Sequence, residues 1–176
     1  PVMRTLTDQN QTTTDKSIVM PSVEDSILRA QIEGDGDYSI ANQASSRRSV
    51  RESMELVSPL AGGVIVNQFS PRSGSMGVSI ASTADTQVVA IGEGTVILTT
   101  WSPDDGYLVE VQHAGGLLSI YRNMTQSLVE VGQKLKAGQI VGYNADATDE
   151  GNTPQLLQFE IWSDGKPVDP ESYIVF

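Results

Sequence analysis

The sequence of 176 residues contains no cysteine and only one histidine. Without cysteine the chain forms no disulfide, no thiolate nucleophile and no Cys-ligated zinc site. With one histidine it cannot build any site that needs two imidazoles. No stretch approaches the roughly 18 consecutive apolar residues of a membrane-spanning helix, so we expect no direct membrane insertion.

Positive charge is also scarce, because 11 basic residues face 22 acidic ones and the net charge is −11. This charge repels nucleic acid and anionic lipid, so we predict no nucleic-acid partner. The one basic cluster, Arg47, Arg48 and Arg51, lies among serines and is interpreted as a solvated linker. Residues 55–176 hold 5 basic and 14 acidic residues, or −9, so most of the acidity belongs to the second part of the chain.

Residues 1–54 are predicted to be a polar extension rather than a folded domain. Within them, the apolar run 17–20 is interpreted as an edge strand or a docked arm. Ser22 can cap a helix, and apolar residues then recur at helical spacing until Gly34, which predicts one short helix over about 23–33. The remaining residues up to 54 are predicted to be a flexible linker.

From residue 55 onward the chain reads as short β-branched runs separated by Gly, Pro, Asn, Asp and Ser. The predicted strands are 64–66, 77–81, 87–90, 95–98, 107–111, 117–121, 140–143 and 157–162. Asp164 and Gly165 form a two-residue turn that would close a hairpin with 166–168. Regular short strands without helical periodicity predict an all-β sandwich or barrel over residues 55–176.

Five sequence motifs occur in an order that indicates a family, which the spacing of the strands alone does not. They are 58–63 (SPLAGG), 77–81 (GVSIA), 87–96 (QVVAIGEGTV), 131–142 (VGQKLKAGQIVG) and 159–161 (FEI) with the ending 168–170 (VDP). Residues 59–173 thereby resemble the M23 or LytM-like peptidase domain, whose members cleave peptide cross-bridges of bacterial peptidoglycan with one zinc ion. The resemblance implies an antiparallel β-sheet sandwich of the LytM type.

The resemblance also implies where the reacting residues should lie. The family supplies them from His-x-Gly-x-Asp, Tyr-x-His and His-x-His motifs. Here the aligned metal positions are Ser75, Ser79 and Gln158, and the aligned catalytic positions are Asn123 and Leu156. Serine hydroxyls and a Gln amide are poor zinc ligands, and Leu can neither bind metal nor move a proton. The comparison predicts a pseudoenzyme with no metal and no cofactor.

The single histidine, His113, aligns with a family position that is not a zinc ligand. We expect it to be hydrogen-bonded in a structural role, although it is retained as a candidate groove residue. The other candidate groove residues are the aromatic side chains Trp101, Tyr107, Tyr121 and Trp162. Ordinary core or strand packing is the alternative for each of these aromatics.

Related degenerate LytM-like domains keep the groove for binding, and some activate cell-wall amidases by protein contact. We therefore expect an inactive domain that binds peptidoglycan, a cell-wall hydrolase, or a division or envelope protein. The alternative is an active metallopeptidase with non-standard ligands, which predicts bound metal. A lipoyl carrier is disfavoured because Lys134 and Lys136 lie in a Gly-Gln turn rather than at a hairpin tip, and a phosphocarrier needs two histidines.

The chain begins at Pro1 rather than Met. We expect a periplasmic or cell-envelope protein whose signal or membrane anchor was removed upstream of Pro1.

Overall fold

A computed structural model of the chain describes residues 40–82, 87–144 and 155–176. The predicted helix over 23–33 and the apolar run 17–20 lie outside the described residues. In the described ranges, no helix has the length and apolar character needed to cross a bilayer.

The described part begins with helix α1, Ile40–Glu52, where the sequence predicted a flexible linker. That prediction is wrong over these residues, because distant contacts hold the helix. Arg51 Nη1 donates to Asp164 Oδ2 over 2.7 Å and to the Gly115 carbonyl over 3.0 Å. Gly115 has a φ of +67°, and a Cβ there would lie 2.8 Å from the backbone oxygen of Arg47, so a glycine is required for this close approach.

The basic cluster is therefore only partly solvated. Arg47 Nη1 lies 3.4 Å from Asp164 Oδ1, which makes a second ion pair with the carboxylate that binds Arg51. Arg48 instead pairs with Glu52 one turn later on the exposed face of α1, at 3.1 Å. Two of the three arginines thus join α1 to the β-domain.

The remaining described elements are almost all strands, which confirms the all-β prediction. They are β1 Val64–Asn67, β2 Val78–Ala81, β3 Gln87–Val89, β4 Gly94–Ser102, β5 Gly106–His113, β6 Leu117–Met124, β7 Gln126–Ser127, β8 Lys134–Leu135, β9 Ile140–Tyr143, β10 Leu157–Ser163 and β11 Lys166–Val168. The two-residue strands β7 and β8 were not predicted from the sequence. Single 3₁₀ turns occur at Pro71–Ser73, Ala114–Gly116 and Pro170–Ser172.

The strands form two antiparallel sheets in the described residues. The larger sheet has the order β1-β2-β10-β6-β5-β4-β8, with β11 paired to β10. The smaller sheet has the order β3-β9-β7. Side chains of both sheets, including Val88 and Val141 from the smaller one, belong to a single hydrophobic core.

Strand β10 shows how the larger sheet separates core from surface. Leu157, Phe159 and Ile161 are fully buried, and the ring of Phe159 lies 5.3 Å from the ring of Tyr121. The intervening residues of β10 point to the opposite face because successive strand side chains alternate. This outer face carries the candidate site.

Candidate functional site

The candidate site lies on the outer face of the larger sheet, where β2, β10 and β6 are neighbours. Gln158 on β10 is directly opposite Ser79 on one side and Arg122 on the other. Directly opposed residues of an antiparallel pair project from the same face, so these three side chains form one row. Leu156 lies two residues before Gln158, directly before the first residue of β10.

Two of the aligned metal positions are serines whose hydroxyls are already engaged. Ser79 is 5% exposed, and its Oγ donates to Gln158 Oε1 over 2.9 Å. Ser75 Oγ donates to the Gly77 carbonyl, also over 2.9 Å. The segment that leads from Ser75 into β2 packs directly against β10, because a Cβ on Gly77 would collide with the Phe159 carbonyl. The hydroxyls are therefore directed at protein acceptors rather than at a common point.

The aligned catalytic position Asn123 has a φ of +64°, a conformation that asparagine tolerates better than most residues. Its Nδ2 donates to the Leu156 carbonyl over 2.8 Å, and its Oδ1 accepts from Gln155 Nε2 over 3.1 Å. The Asn123 backbone N–H donates to the Asp105 carbonyl over 2.9 Å. Asn123 thus joins the end of β6 to the residues that lead into β10.

A zinc ion does not fit this set of residues. Zinc peptidases hold the metal with imidazole and carboxylate ligands and leave one position open to water. Ser75, Ser79 and Gln158 offer two hydroxyls and an amide, all neutral. Across the described ranges, no three His, Asp or Glu side chains are grouped so that they could hold a metal ion.

His113 lies in the interior, so the prediction that it is a groove residue is wrong. Its Nδ1 is 2.7 Å from the Glu93 carbonyl, which can only accept, so Nδ1 donates, and Nε2 lies 2.8 Å from Ser119 Oγ. Burial lowers the pKa of His113, and the Glu93 carbonyl opposes that shift only in part. The imidazole is therefore a buried structural group.

Tyr121 is also in the core and does not line the groove. It is fully buried, its Oη accepts from the Ile91 backbone N–H over 3.0 Å, and Ser119 Oγ lies 3.2 Å away. Ser119 Oγ donates to Tyr121 Oη. Burial raises the pKa of Tyr121 to about 12. Strand alternation explains the correction, because Arg122 is the residue that faces outward.

The other candidate aromatics are separated in the structure. Trp101 is 57% exposed near the end of β4, and its cross-strand partner Tyr107 packs against the core. Trp162 lies on the outer face of β10, where its Nε1 donates to Glu160 Oε2 over 2.8 Å. Only Trp162 of the four aromatics lines the same cavity as Ser75 and Gln158.

The sequence interpretation missed two polar residues of the site, Arg122 and Glu160. Their charged atoms approach to 3.5 Å between Nε and Oε1. They could have been found by continuing the alternation of β6 and β10, since each lies next to a buried aromatic in the sequence. The candidate site is thus a polar row flanked by Trp162.

Comparison with known proteins identifies the family. Residues 73–170 match the family described as Peptidase family M23. The chain belongs to peptidase family M23. The matched residues span the turn before β2 through β11, so this M23 domain includes every strand of the candidate site.

Two curated relatives are similar to the M23 domain. Stage II sporulation protein Q of Bacillus subtilis is 35% identical over 115 residues, covering 62% of this chain and 40% of that protein. Murein hydrolase activator EnvC of Escherichia coli is 34% identical over 98 residues, covering 56% of this chain and 23% of that protein. The chain thus spans less than half the length of either relative.

A solved structure confirms the fold. The M23 domain resembles a chain in the structure of the SpoIIQ-SpoIIIAH pore forming complex, with a TM-score of 0.56 and 26% sequence identity. The match covers 69% of this chain and 91% of that chain.

Proposed function

We propose that this M23 domain is a non-catalytic binding module of the bacterial cell envelope. The observation that carries the proposal is the way the five aligned positions use their polar atoms. Ser79 is bonded to Gln158, Ser75 to a backbone carbonyl, and Asn123 to the carbonyl of Leu156. Groups bonded in this way stabilise a groove but have neither the charge nor the basicity to activate water.

The relatives support binding as the retained function. One is named as an activator of murein hydrolases, and the other forms a pore complex with a second protein. We therefore propose the periplasm or cell envelope as the location. The proposed partner is peptidoglycan, a cell-wall hydrolase, or a division or envelope protein, and regulation of a hydrolase is the proposed role.

Binding through the groove is tested with a charge placed at its edge. Leu156→Asp introduces a carboxylate beside Gln158, and we expect it to abolish co-sedimentation with purified peptidoglycan sacculi or retention of an envelope hydrolase. Val131→Asp is the matched control, since Val131 is 60% exposed in the turn before β8. Equal retention of the wild type and both variants would show that the groove does not bind the partner.

The competing function, hydrolysis with unusual ligands, is tested on the same material. Purified domain is incubated with cross-linked muropeptides and added zinc, and the products are separated by chromatography. We expect no cleavage above the rate without protein. Cleavage that a chelator stops would establish a metallopeptidase instead.

A further inference from the structure

The larger sheet ends in a strand whose outer edge is mostly unpaired. Strand β4 runs over Gly94–Ser102, but β8 pairs only with its first two residues. Val96 closes this contact, since its N–H donates to the Gln133 carbonyl over 2.9 Å. Beyond Val96, residues 97–102 have no strand partner on this side within the described ranges. We call residues 97–102 the free β4 edge.

The free β4 edge lacks most of the features that protect exposed edges. Edge strands usually carry charged side chains or proline, which disfavour pairing with another chain. Residues 97–102 (ILTTWS) contain no charged residue and no proline. Their one irregularity is the register shift between Val96 and Leu98, which lies next to β8. The rest of the edge therefore offers backbone donors and acceptors to an added strand.

Exposed apolar side chains accompany this edge. Ile97, Thr99 and Trp101 alternate along β4, so they project from one face. Thr99 Oγ1 lies 3.3 Å from Ser127 Oγ on β7, so this face is the one turned towards the smaller sheet. Ile97 is 44% exposed and Trp101 57%, and Leu128, directly after β7, is also exposed. Large apolar side chains that are exposed together mark an interaction surface.

The two ends of the free β4 edge carry opposite charges. Asp104 and Asp105 are exposed in the turn that follows β4. Lys134 in β8 and Lys136 directly after it are exposed at the other end. None of the four makes an ion pair within the described residues. An antiparallel strand with the same charge pattern would place its acidic turn at these lysines, and a second copy of the chain has that pattern.

We propose that two copies of this chain associate by antiparallel pairing of their free β4 edges, about a two-fold axis at Thr99. In this register Ile97 of each copy lies opposite Trp101 of the other, on the same face of the joined sheet. The acidic turn of one copy meets β8 of the other, where β8 already fills the edge. The contact is self-complementary, so association stops at the dimer.

The dimer has a consequence for the groove. A two-fold axis that relates antiparallel neighbours stands perpendicular to the sheet, so the outer faces of both copies point in the same direction. Two grooves then face one way, and a partner with repeated sites binds such a pair more tightly than a single groove. Dimer formation itself does not require the groove to bind anything, so the inference goes beyond the proposed function.

The expected affinity follows from charge and area. The net charge of −11 opposes association, but at physiological ionic strength exposed charges more than about 8 Å apart are largely screened. A stable complex buries about 800 Å² per partner, and so short an edge covers less. We expect a dissociation constant of about 10–100 µM. Sedimentation velocity of the full chain over concentrations that span this range measures it.

A lysine at the centre of the apolar contact tests the edge. Trp101→Lys should weaken association at least about tenfold, as for an aromatic residue at the centre of an interface. Because this change also reduces the net negative charge, repulsion between the copies cannot explain the loss. Val66→Lys is the matched control, since Val66 is 54% exposed on β1, at the opposite edge of the same sheet. Melting temperatures verify that both variants are folded.

Exchanging the charges tests the orientation of the two copies. Asp104→Lys or Lys134→Asp alone should weaken association about three- to tenfold, because each places like charges together in both halves of the dimer. The double variant keeps the net charge of the wild type and should restore its affinity. Weakening without restoration would contradict the antiparallel arrangement.

Distances between spin labels test the register. The chain contains no cysteine, so a single introduced cysteine labels one position. Labelled Thr100→Cys should give a short distance, because the two positions lie within about 10 Å on neighbouring strands. Labelled Val66→Cys should give roughly 40–50 Å, since eleven strand spacings of about 4.8 Å separate the two β1 strands of a twisted sheet.

A monomer at every concentration, wild-type association of Trp101→Lys, or a shorter distance for Val66→Cys than for Thr100→Cys would overturn the inference. If the wild type is monomeric and Trp101→Lys loses an envelope protein, the edge binds a different protein and the second copy is excluded. Leu156→Asp should dimerise like the wild type. Failure of the groove proposal therefore leaves the dimer intact, and a monomeric chain leaves the groove proposal intact.

Discussion

Replacing Tyr121 by Phe tests whether this residue is structural, as its burial indicates, or part of the groove. The change deletes only the hydroxyl, so the packing of the ring on Phe159 is kept. The lost oxygen accepts from the Ile91 N–H, which is fully buried. Leaving one buried donor unpaired costs about 1–3 kcal/mol, so we expect a loss near 2 kcal/mol.

For a domain of this size, that loss corresponds to a fall in Tm of roughly 6–10 °C. Thermal and urea unfolding of the wild type, Tyr121→Phe and Tyr173→Phe measure it. Tyr173 is the control, because it packs partly buried against the core and its hydroxyl makes no hydrogen bond within the described residues. Equal stability of the two variants would refute the assignment of Tyr121 as a buried hydrogen-bond centre.

The same variant also separates packing from recognition. We expect folded Tyr121→Phe to bind groove ligands within about twofold of wild type, since its hydroxyl points away from the groove face. A selective loss of binding with unchanged stability would show that Tyr121 lines the groove.

Two further predictions concern pH and the docked helix. The pKa of His113 is lowered from 6.5 in the folded state, so the unfolded chain binds more protons and stability should fall as pH drops below about 6.5. The urea midpoint measured from pH 8 to 5 should therefore depend less steeply on pH in His113→Gln than in the wild type. An unchanged pH dependence contradicts the prediction. Arg51 holds the pKa of Asp164 below its usual value, so this contact is complete at neutral pH and lost in acid. Asp164→Asn should therefore speed amide hydrogen exchange in α1 at pH 7 and leave β10 unaffected, whereas unchanged exchange would show that other contacts hold α1.

Much of the β-domain was predictable because its signals are local. The alternation in β10 places Leu157, Phe159 and Ile161 in the core, as strand periodicity requires. The Asp164-Gly165 turn was likewise predicted, and both residues have positive φ, 50° and 76°, as a two-residue hairpin turn needs.

Helix α1 was not predictable from its own sequence. Its residues are polar around the whole circumference, so no apolar periodicity marks a helix. The contacts that hold it join Arg51 to Asp164, which lies 113 positions later in the sequence. Tertiary contacts of this kind override local propensity.

The site was predicted in position but not in detail. The alignment located Ser79 and Gln158, but only the register of β2, β10 and β6 places Arg122 beside them. The sequence also could not distinguish Trp162, which lines the cavity, from Tyr121, which lies on the opposite face of the sheet. Which face a residue takes depends on strand phase, and a one-residue change of phase reverses it.

Zinc content tests the central claim most directly. The purified chain is incubated with excess zinc, dialysed, and analysed by mass spectrometry for metal per chain, with a calorimetric zinc titration beside it. Because hydroxyls and an amide replace the ligands, we predict far less than one zinc per chain and no saturable binding at the groove. One tightly bound zinc per chain that disappears in a Ser79→Ala, Gln158→Ala double variant would contradict the account.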